Sequence, residues 1–315
     1  MIAAKGLTWP RSTDVARLLI PIGALVVMAV SMAVLQPRVT SYIGMQLVLS
    51  FALPLMFASL AQLSVIAASD IDFGIGPFIG FVNCLTAAFM VTEPLFCCAC
   101  LVGCVVAYAS LGAFIQLRRL PSIVVTLGAS FIWLGLALIV MPTPGGTAPE
   151  WLSKLVRLRP PFIPLPIVAA IVVAAFGHWL FKRSSYSVVL RGVGSAAASV
   201  QAAGWSLVVA RSVLYGLAGI FGIISGLLLT GLINSGDANV GTAYTLLSVS
   251  AVIVGGAEFS GGIVSPIGAI IGVFVMLLAG TLLSFMNVPS DWQLSVQGAL
   301  LILVLGARLI LRRRI

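Results

Sequence analysis

Charged residues are scarce in this chain. Asp, Glu, Lys and Arg make up 8% of its 315 residues, and there is a single histidine. Soluble domains carry about 25% charged residues, which keep their surfaces in water. Here 61% of the residues are hydrophobic and the mean hydropathy is +1.19. This composition excludes a soluble globular domain. The excess of basic residues does not indicate nucleic-acid binding, because these residues fall mostly between and beyond apolar runs.

Several chemical signatures are missing as well. The chain has no G-x-x-x-x-G-K-[ST] loop for nucleotide phosphates and no hydrophilic segment long enough for a soluble domain. No His, Cys or Ser–Lys groups converge, and the five cysteines lie in apolar stretches without His or carboxylate neighbours. We therefore expect no enzyme activity, catalytic residue, bound metal or cofactor on this chain, and no disulfide framework. ATP-driven work would need separate ATPase subunits.

Apolar runs of about 20 residues, the length of a membrane-spanning helix, recur along the chain. They predict an all-α polytopic membrane protein with about ten transmembrane helices in one domain over residues 1–315. The predicted spans are 17–36, 43–67, 77–91, 94–117, 122–141, 162–181, 208–230, 244–256, 264–285 and 294–310. The segment around 1–16 is predicted to be an N-terminal tail, and 182–207 the longest loop.

The basic residues predict the orientation. An even number of helices places both termini on one side, and assigning that side to the cytoplasm puts thirteen basic residues inside and four outside. This agrees with the positive-inside rule. Three of the four outside charges crowd the loop 142–162, which the rule does not predict. The outside residues are Arg38, Lys154, Arg157 and Arg159.

Two acidic loops resemble each other. "DFGIGPFIG" begins at Asp72 and "EFSGGIVSPIG" begins at Glu258. Each has an acidic residue, then Phe, a glycine-bearing link, and Pro before Gly at the entry to an apolar helix. Both loops join an inward-running helix to an outward-running one in the predicted topology. This predicts a parallel internal repeat, with broken or re-entrant helices at the glycine-rich loops.

Four segments in order resemble the permease subunits of sugar-type ABC importers, the group of ribose, xylose, arabinose and galactose permeases, related to branched-chain amino acid permeases. "SDIDFGIGP" is similar to that family's G-G-I-D-L-S-V-G, with Asp72 and Gly76 matching. Ser69, Asp70 and Gly74 stand where the family has Gly, Gly and Ser. "LPSIVVTLGASFIWLGLALIV", residues 120–140, is a weaker match.

The other two segments lie in the second half of the chain. Residues 190–228 follow the family's cytoplasmic loop and the glycine-rich helix after it, although the family's usual Asn-Glu is missing near Ser195. "LSVSAVIVGGAEFSGG", residues 247–262, is similar to the family's I-A-A-V-V-L-G-G-x-S-L-x-G-G. Its structural glycines match and Glu258 departs from the pattern. The matching glycines are Gly255, Gly256, Gly261 and Gly262.

The resemblance implies a multi-pass permease of the bacterial inner membrane that forms a sugar path. It implies a second permease copy or related chain as dimer partner, a periplasmic binding protein that delivers the sugar, and cytoplasmic ATPase subunits that use the ATP. Membrane lipid would surround it, and nucleic acid would have no part. The loop 182–207 would then couple this chain to the ATPase; otherwise it is an ordinary solvated connector. We expect the contacts from an Ala- and Ser-rich helix ending at Gly204, with Arg191, Gly194, Ala197 and Gln201 taking part.

The acidic residues allow two interpretations. As part of the substrate path, Asp70, Asp72, Gly74, Gly76 and Glu258 would border the route, and the carboxylates would accept hydrogen bonds from sugar hydroxyls. Alternatively the acids cap helices, because Asp is a favoured N-cap and is stabilised there by about 0.3–1 kcal/mol. Their glycines would permit tight turns and close helix packing at membrane depth.

Another function class remains open from the residues alone. An ion-coupled secondary transporter of a small polar solute would use these acids, at mid-membrane depth, to bind a proton or cation. It would need no ATPase.

Overall fold

The structure, a computed structural model, describes residues 12–259 and 261–289, together with isolated positions between 292 and 306. The predicted span 294–310 and most of the predicted tail 1–16 lie outside the continuously described residues. In those residues the α-helices are α1 (Ser12–Leu35), α2 (Tyr42–Leu49), α3 (Ala52–Ala67), α4 (Ile75–Phe89), α5 (Pro94–Arg118), α6 (Ser122–Val140), α7 (Glu150–Val156), α8 (Leu165–His178), α9 (Ser187–Ser195), α10 (Ala197–Ala202), α11 (Leu207–Ile233), α12 (Thr242–Val254) and α13 (Pro266–Phe285).

Six helices in the described residues are long and apolar enough to cross a membrane, or seven if the bent pair α2–α3 is one span. The six are α1, α5, α6, α8 with its π-helical extension Trp179–Arg183, α11 and α13. The prediction of a polytopic all-α protein is thus confirmed. The count of ten is not, because α4 and α12 occupy two predicted spans with only 15 and 13 residues.

Helix α11 is the centre of the packing. It extends for 27 residues and packs most extensively against α5 and α3, with α4 beside them. Its N-terminus is capped by Ser206, whose hydroxyl accepts from the Val209 N–H, and it ends at Asn234 in the left-handed conformation. Gly222 faces the Phe78 ring, where a Cβ atom would lie 2.7 Å from it. Small residues here admit large side chains from the neighbouring helix, as at other membrane helix interfaces.

Backbone contact is closest around the short helix α12. A methyl group on Gly241, which precedes α12, would overlap the Gly76 carbonyl oxygen of α4. On the other side of α12, a methyl group on Gly268 would overlap the Gly255 carbonyl oxygen, and one on Gly272 would overlap that of Ala251. The backbone of α12 is therefore clasped between α4 and α13.

The length of α11 separates two ends of the molecule by about 40 Å, at 1.5 Å per residue. We call the end that holds α9 and α10 the coupling end, since the predicted coupling loop lies there. At the opposite end, Gly145 and Gly236 exchange backbone hydrogen bonds of 3.0 and 2.7 Å. There the Ala148 N–H donates to Asn234 Oδ1 at 3.1 Å, which ties the loop 142–162 to the end of α11.

Candidate functional site

The segment 68–74, which we call the acidic loop, connects α3 to α4 at the coupling end. Its second residue, Ser69, is in the left-handed region at a φ of 62°. Few residues other than glycine adopt this conformation, and Ser69 stands where the similar permeases have glycine. Two hydrogen bonds hold it there: its hydroxyl donates to the Gly194 carbonyl at 3.0 Å and accepts from the Gly261 N–H at 3.1 Å.

Asp70 forms a two-pronged ion pair with Arg211 of α11. Arg211 Nε and Nη2 donate to the two carboxylate oxygens at 2.8 and 2.7 Å. Side-chain exposure is 18% for Arg211 and 6% for Asp70, so water screens the pair poorly. Arg211 Nη1 donates to Gln116 Oε1 at 2.7 Å, and the Tyr215 hydroxyl donates to Asp70 Oδ2 at 3.2 Å. The acidic loop is therefore joined to α5 and α11 through one buried cluster.

Asp72 shapes the start of α4. Its Oδ1 accepts from the Gly74 N–H at 2.7 Å, a local turn directly before the helix. Its Oδ2 accepts from the Tyr108 hydroxyl at 3.1 Å. The Gln62 amide, oriented with its nitrogen toward the Asp72 carbonyl, pairs with both backbone groups of Asp72 at 3.1 and 3.2 Å. This buried carboxylate thus has partners within the chain, as the loop-shaping interpretation requires.

Further contacts attach the acidic loop to α6 and the first turn of α4 to α12. The Phe73 N–H donates to Thr126 Oγ1 at 3.1 Å, and the Gly76 N–H donates to Thr245 Oγ1 at 3.1 Å. A methyl group on Gly76 would overlap Thr245 Oγ1, whereas one on Gly74 would lie 3.1 Å from Asp72 Oδ1. Both predicted loop glycines are therefore positions of close approach.

The glycine-rich loop, described for residues 255–259 and 261–265, lies beside the coupling end. Gly256, Gly261 and Gly262 have positive φ values of 105°, 80° and 61°, so the loop needs glycine at these positions. A methyl group on Gly262 would overlap the Arg191 carbonyl oxygen of α9. Glu258 is half-buried, and its N–H donates to the Ile263 carbonyl at 3.1 Å. Glu258 therefore lies in a second loop that touches the coupling segment.

The predicted coupling segment forms two short helices rather than one. The helical conformation is interrupted at Ala196, which lies between α9 and α10 and has an extended φ of −153°. Ala197, Gln201 and Gly204 are exposed, and Gly204 follows α10 with a φ of 83°. Gly194 packs against the α3–α4 connection, where a methyl group would overlap the Ala67 carbonyl oxygen. The segment thus presents α10 outward and packs α9 on the acidic loop.

Arg191, on α9, faces the glycine-rich loop. Its Nε donates to the Ser187 carbonyl at 3.2 Å within α9. It lines a cleft of about 290 Å³ between α9 and the glycine-rich loop, together with Lys182, Ser195 and Gly262. In the described part of the chain no three His, Cys, Asp or Glu side chains are grouped so that they could hold a metal ion.

The sequence did not identify the residues that bind the two aspartates, or Gln116, which binds Arg211. Tyr108, Gln116, Arg211 and Tyr215 lie in apolar helices, and Arg211 figured only as an inside charge. A signal was present. A charged residue inside an apolar span needs a partner, and Asp70 was the acid that the family pattern left unexplained.

The fold by itself indicates the class of protein. Several long apolar helices with their mostly apolar surfaces exposed belong to a multi-pass membrane protein. The sequence matches the model of the family described as "Branched-chain amino acid transport system / permease component" over residues 20–305. The chain belongs to this family, and it is a permease component of a transport system. The family is one of transport permeases, not of enzymes.

The relatives agree with this family. The chain is 27% identical to the "Probable ABC transporter permease protein YphD" of Escherichia coli over 306 residues, which is 93% of this chain and 90% of the relative. It is 26% identical to the "Xylose transport system permease protein XylH" of Haemophilus influenzae, over 45% of this chain and 38% of the relative.

A third relative is the "Galactose/methyl galactoside import permease protein MglC" of Escherichia coli. Identity is 29%, over 42% of this chain and 40% of the relative. These matches confirm the predicted resemblance to sugar-type ABC permeases. No solved structure matches the chain.

Proposed function

We propose that this chain is the permease subunit of an ATP-driven ABC importer and forms the translocation path for a sugar. The observation that carries the proposal is the pair α9–α10, which exposes small side chains at one end of the molecule while α9 packs on the acidic loop. An ATPase subunit needs such a short, structured element to grip. Similarity to a probable ABC permease over 93% of the chain supports the same role.

The proposal specifies the partners. ATPase subunits on the cytoplasmic side bind and hydrolyse ATP, and this chain itself holds no cofactor. A periplasmic binding protein delivers the sugar, and a second copy or a related permease completes a dimer. The contacts with the ATPase come from Ala197 and Gln201 on the exposed side, with Arg191, Gly194 and Gly204 shaping the segment.

The proposed location is the bacterial inner membrane, with the coupling end and both termini in the cytoplasm. Thirteen basic residues inside against four outside support this orientation. We further propose that α3–α4 and α12–α13 are the two halves of a parallel repeat, with α4 and α12 as broken or re-entrant helices. Two similar loops, each followed by a helix with an early proline, support the repeat.

The proposed substrate is a sugar, because two relatives carry xylose and galactose in their names. We place the acidic loop and Glu258 at the border of the path. The internal partners of Asp70 and Asp72 favour loop shaping over direct contact with the sugar. They also weigh against the ion-coupled alternative, since a coupling site needs a carboxylate that can bind and release its cation.

The test is reconstitution in proteoliposomes. This chain is combined with a candidate ATPase and a candidate periplasmic binding protein from the same organism, and uptake of labelled xylose, galactose and leucine is measured. Sugar uptake that needs both ATP and the binding protein supports the proposal. Leucine uptake would reject the sugar assignment, and uptake driven by an ion gradient through this chain alone would reject the ABC class. The ATPase should also co-purify with this chain.

A further inference from the structure

We propose that Asp70 and Arg211 are positioning residues for transport: their ion pair transmits movement of the coupling helices to α4 and so to the path. The inference rests on the proposed ABC function and adds a named mechanical link to it. The resemblance to the sugar-type permeases assigns no role to either residue. Asp70 stands where that family's pattern has glycine.

The first step is the position of Arg211 in the chain. Helix α10 ends at Ala202, α11 begins at Leu207, and Arg211 lies in the second turn of α11. Only a short turn intervenes, and it ends at Ser206, the N-cap of α11. Because a helix moves largely as a rigid body, a displacement of α10 shifts or rotates the start of α11. Arg211 then moves with it.

The second step is the geometry of the pair. Arg211 presents the edge of a planar guanidinium to both oxygens of Asp70 at 2.7 and 2.8 Å. Such a contact fixes direction as well as distance. Gln116 and Tyr215 occupy further positions around the two side chains. A buried ion pair is poor evidence for stability, because apolar residues of the same volume often serve as well. What it supplies is a directional link.

The third step leads from Asp70 to α4. Only Ile71 separates Asp70 from Asp72, whose carboxylate holds the Gly74 N–H at the start of α4. The loop is fixed to α6 through Thr126, and the first turn of α4 to α12 through Thr245. A displacement of Asp70 therefore reaches the two short apolar helices, α4 and α12, that lie in contact with each other.

A second contact runs in parallel. The Ser69 hydroxyl donates to the Gly194 carbonyl near the end of α9. The acidic loop thus contacts α9 through Ser69 and α11 through the adjacent residue, Asp70. These contacts join both sides of the coupling segment to one loop.

The experiment compares uptake with ATP hydrolysis in the reconstituted complex, using whichever of xylose and galactose the unaltered chain carries. We expect Asp70→Asn to keep ATP hydrolysis within about twofold and to lower the sugar taken up per ATP by about tenfold or more, as loss of coupling between sites does. Asp70→Glu, which keeps the charge, should restore part of the ratio. Ser225→Ala is the matched control, because it removes a buried 2.7 Å hydrogen bond between α11 and Pro54 of α3 away from the acidic loop.

An unchanged ratio in Asp70→Asn, or an equal drop in Ser225→Ala, would overturn the proposal. If Asp70→Asn does not assemble, Arg211→Lys is used to test the link. Lysine keeps the positive charge but cannot donate two parallel hydrogen bonds to the Asp70 carboxylate. A normal ratio there overturns the link, and a lowered one supports it. If the unaltered chain shows no ATP-driven uptake, the proposed function fails and this inference with it. If the unaltered chain shows ATP-driven uptake and the variants keep its ratio of sugar to ATP, only the proposed link is rejected and the proposed function stands.

Discussion

The Ser69 hydroxyl lies 3.0 Å from the Gly194 carbonyl oxygen, so the acidic loop touches helix α9 directly. The same hydroxyl accepts from Gly261, and one serine thus joins three segments far apart in the sequence. Its left-handed backbone is a conformation that glycine adopts more readily, and the family pattern that the sequence resembles has glycine at this position. Conformational cost and hydrogen-bond gain therefore oppose each other at one residue.

This opposition predicts how substitutions at Ser69 behave. Ser69→Gly loses two hydrogen bonds, each about 1 kcal/mol, but relieves a left-handed backbone that costs about 1–2 kcal/mol. The stability of the protein should change by less than about 1 kcal/mol. Ser69→Val loses the same bonds and places a β-branched residue at positive φ, so it should destabilise by about 3 kcal/mol. Thermal unfolding in detergent compares the two variants, and equal midpoints would contradict the account.

The contact between α13 and the end of α12 predicts intolerance at Gly268. In Gly268→Ala the new methyl group overlaps the Gly255 carbonyl, a backbone atom that no rotamer change can move. Overpacking costs about 1–3 kcal/mol, and we expect the upper end of that range. Gly128→Ala in α6 is the control, because no atom lies within 4 Å of its Cβ position. Yield of monodisperse protein should fall for the first variant only.

The ion pair of Asp70 and Arg211 predicts a strongly non-additive pair of mutations. Arg211→Met leaves a buried carboxylate without its counter-ion and should destabilise by about 3–5 kcal/mol. Asp70→Leu should cost a similar amount. The double variant removes both charges and should regain most of the loss. Unfolding of all four proteins in detergent gives the coupling energy, and simple additivity would show that the pair does not interact.

The exposed surface of α10 predicts a defect in assembly without a defect in folding. Ala197→Trp places a large ring on an exposed position at the coupling end. Thermal unfolding should stay unchanged while the ATPase captured in co-purification falls by about tenfold, equivalent to about 1.4 kcal/mol. Leu158→Trp, on an exposed residue of the opposite end, should leave capture intact. Equal capture by both variants would place the ATPase contact elsewhere.

Hydropathy alone predicted most of the architecture. Runs such as 94–117 and 122–141 coincide with α5 and α6, because a chain in lipid must satisfy its backbone within helices of sufficient length. The short helices α4 and α12 were counted among the predicted spans, at 77–91 and 244–256. Hydropathy located both apolar segments, but 15 and 13 residues at 1.5 Å each extend only about 20 Å, less than the roughly 30 Å hydrocarbon core, so their length and not their composition separates them from full spans.

The contacts inside the site were less accessible to sequence reasoning. Asp72 and its glycines could be predicted to shape a turn, since Asx turns and glycine act within a few residues. The partner of Asp70 is 141 residues away, and pairing at that distance depends on how α11 packs. The break at Ala196 was also missed, because neither glycine nor proline marks it and alanine favours continuing the helix.

The separation between Asp70 and Arg211 has a consequence for how the protein is made. Asp70 leaves the ribosome 141 residues before Arg211, so the nascent chain holds this carboxylate without its cation while those residues are made. A chain that stops before residue 211 cannot neutralise it. The ion pair can therefore form only after the start of α11 has been made, so the acidic loop acquires its final contacts late in synthesis.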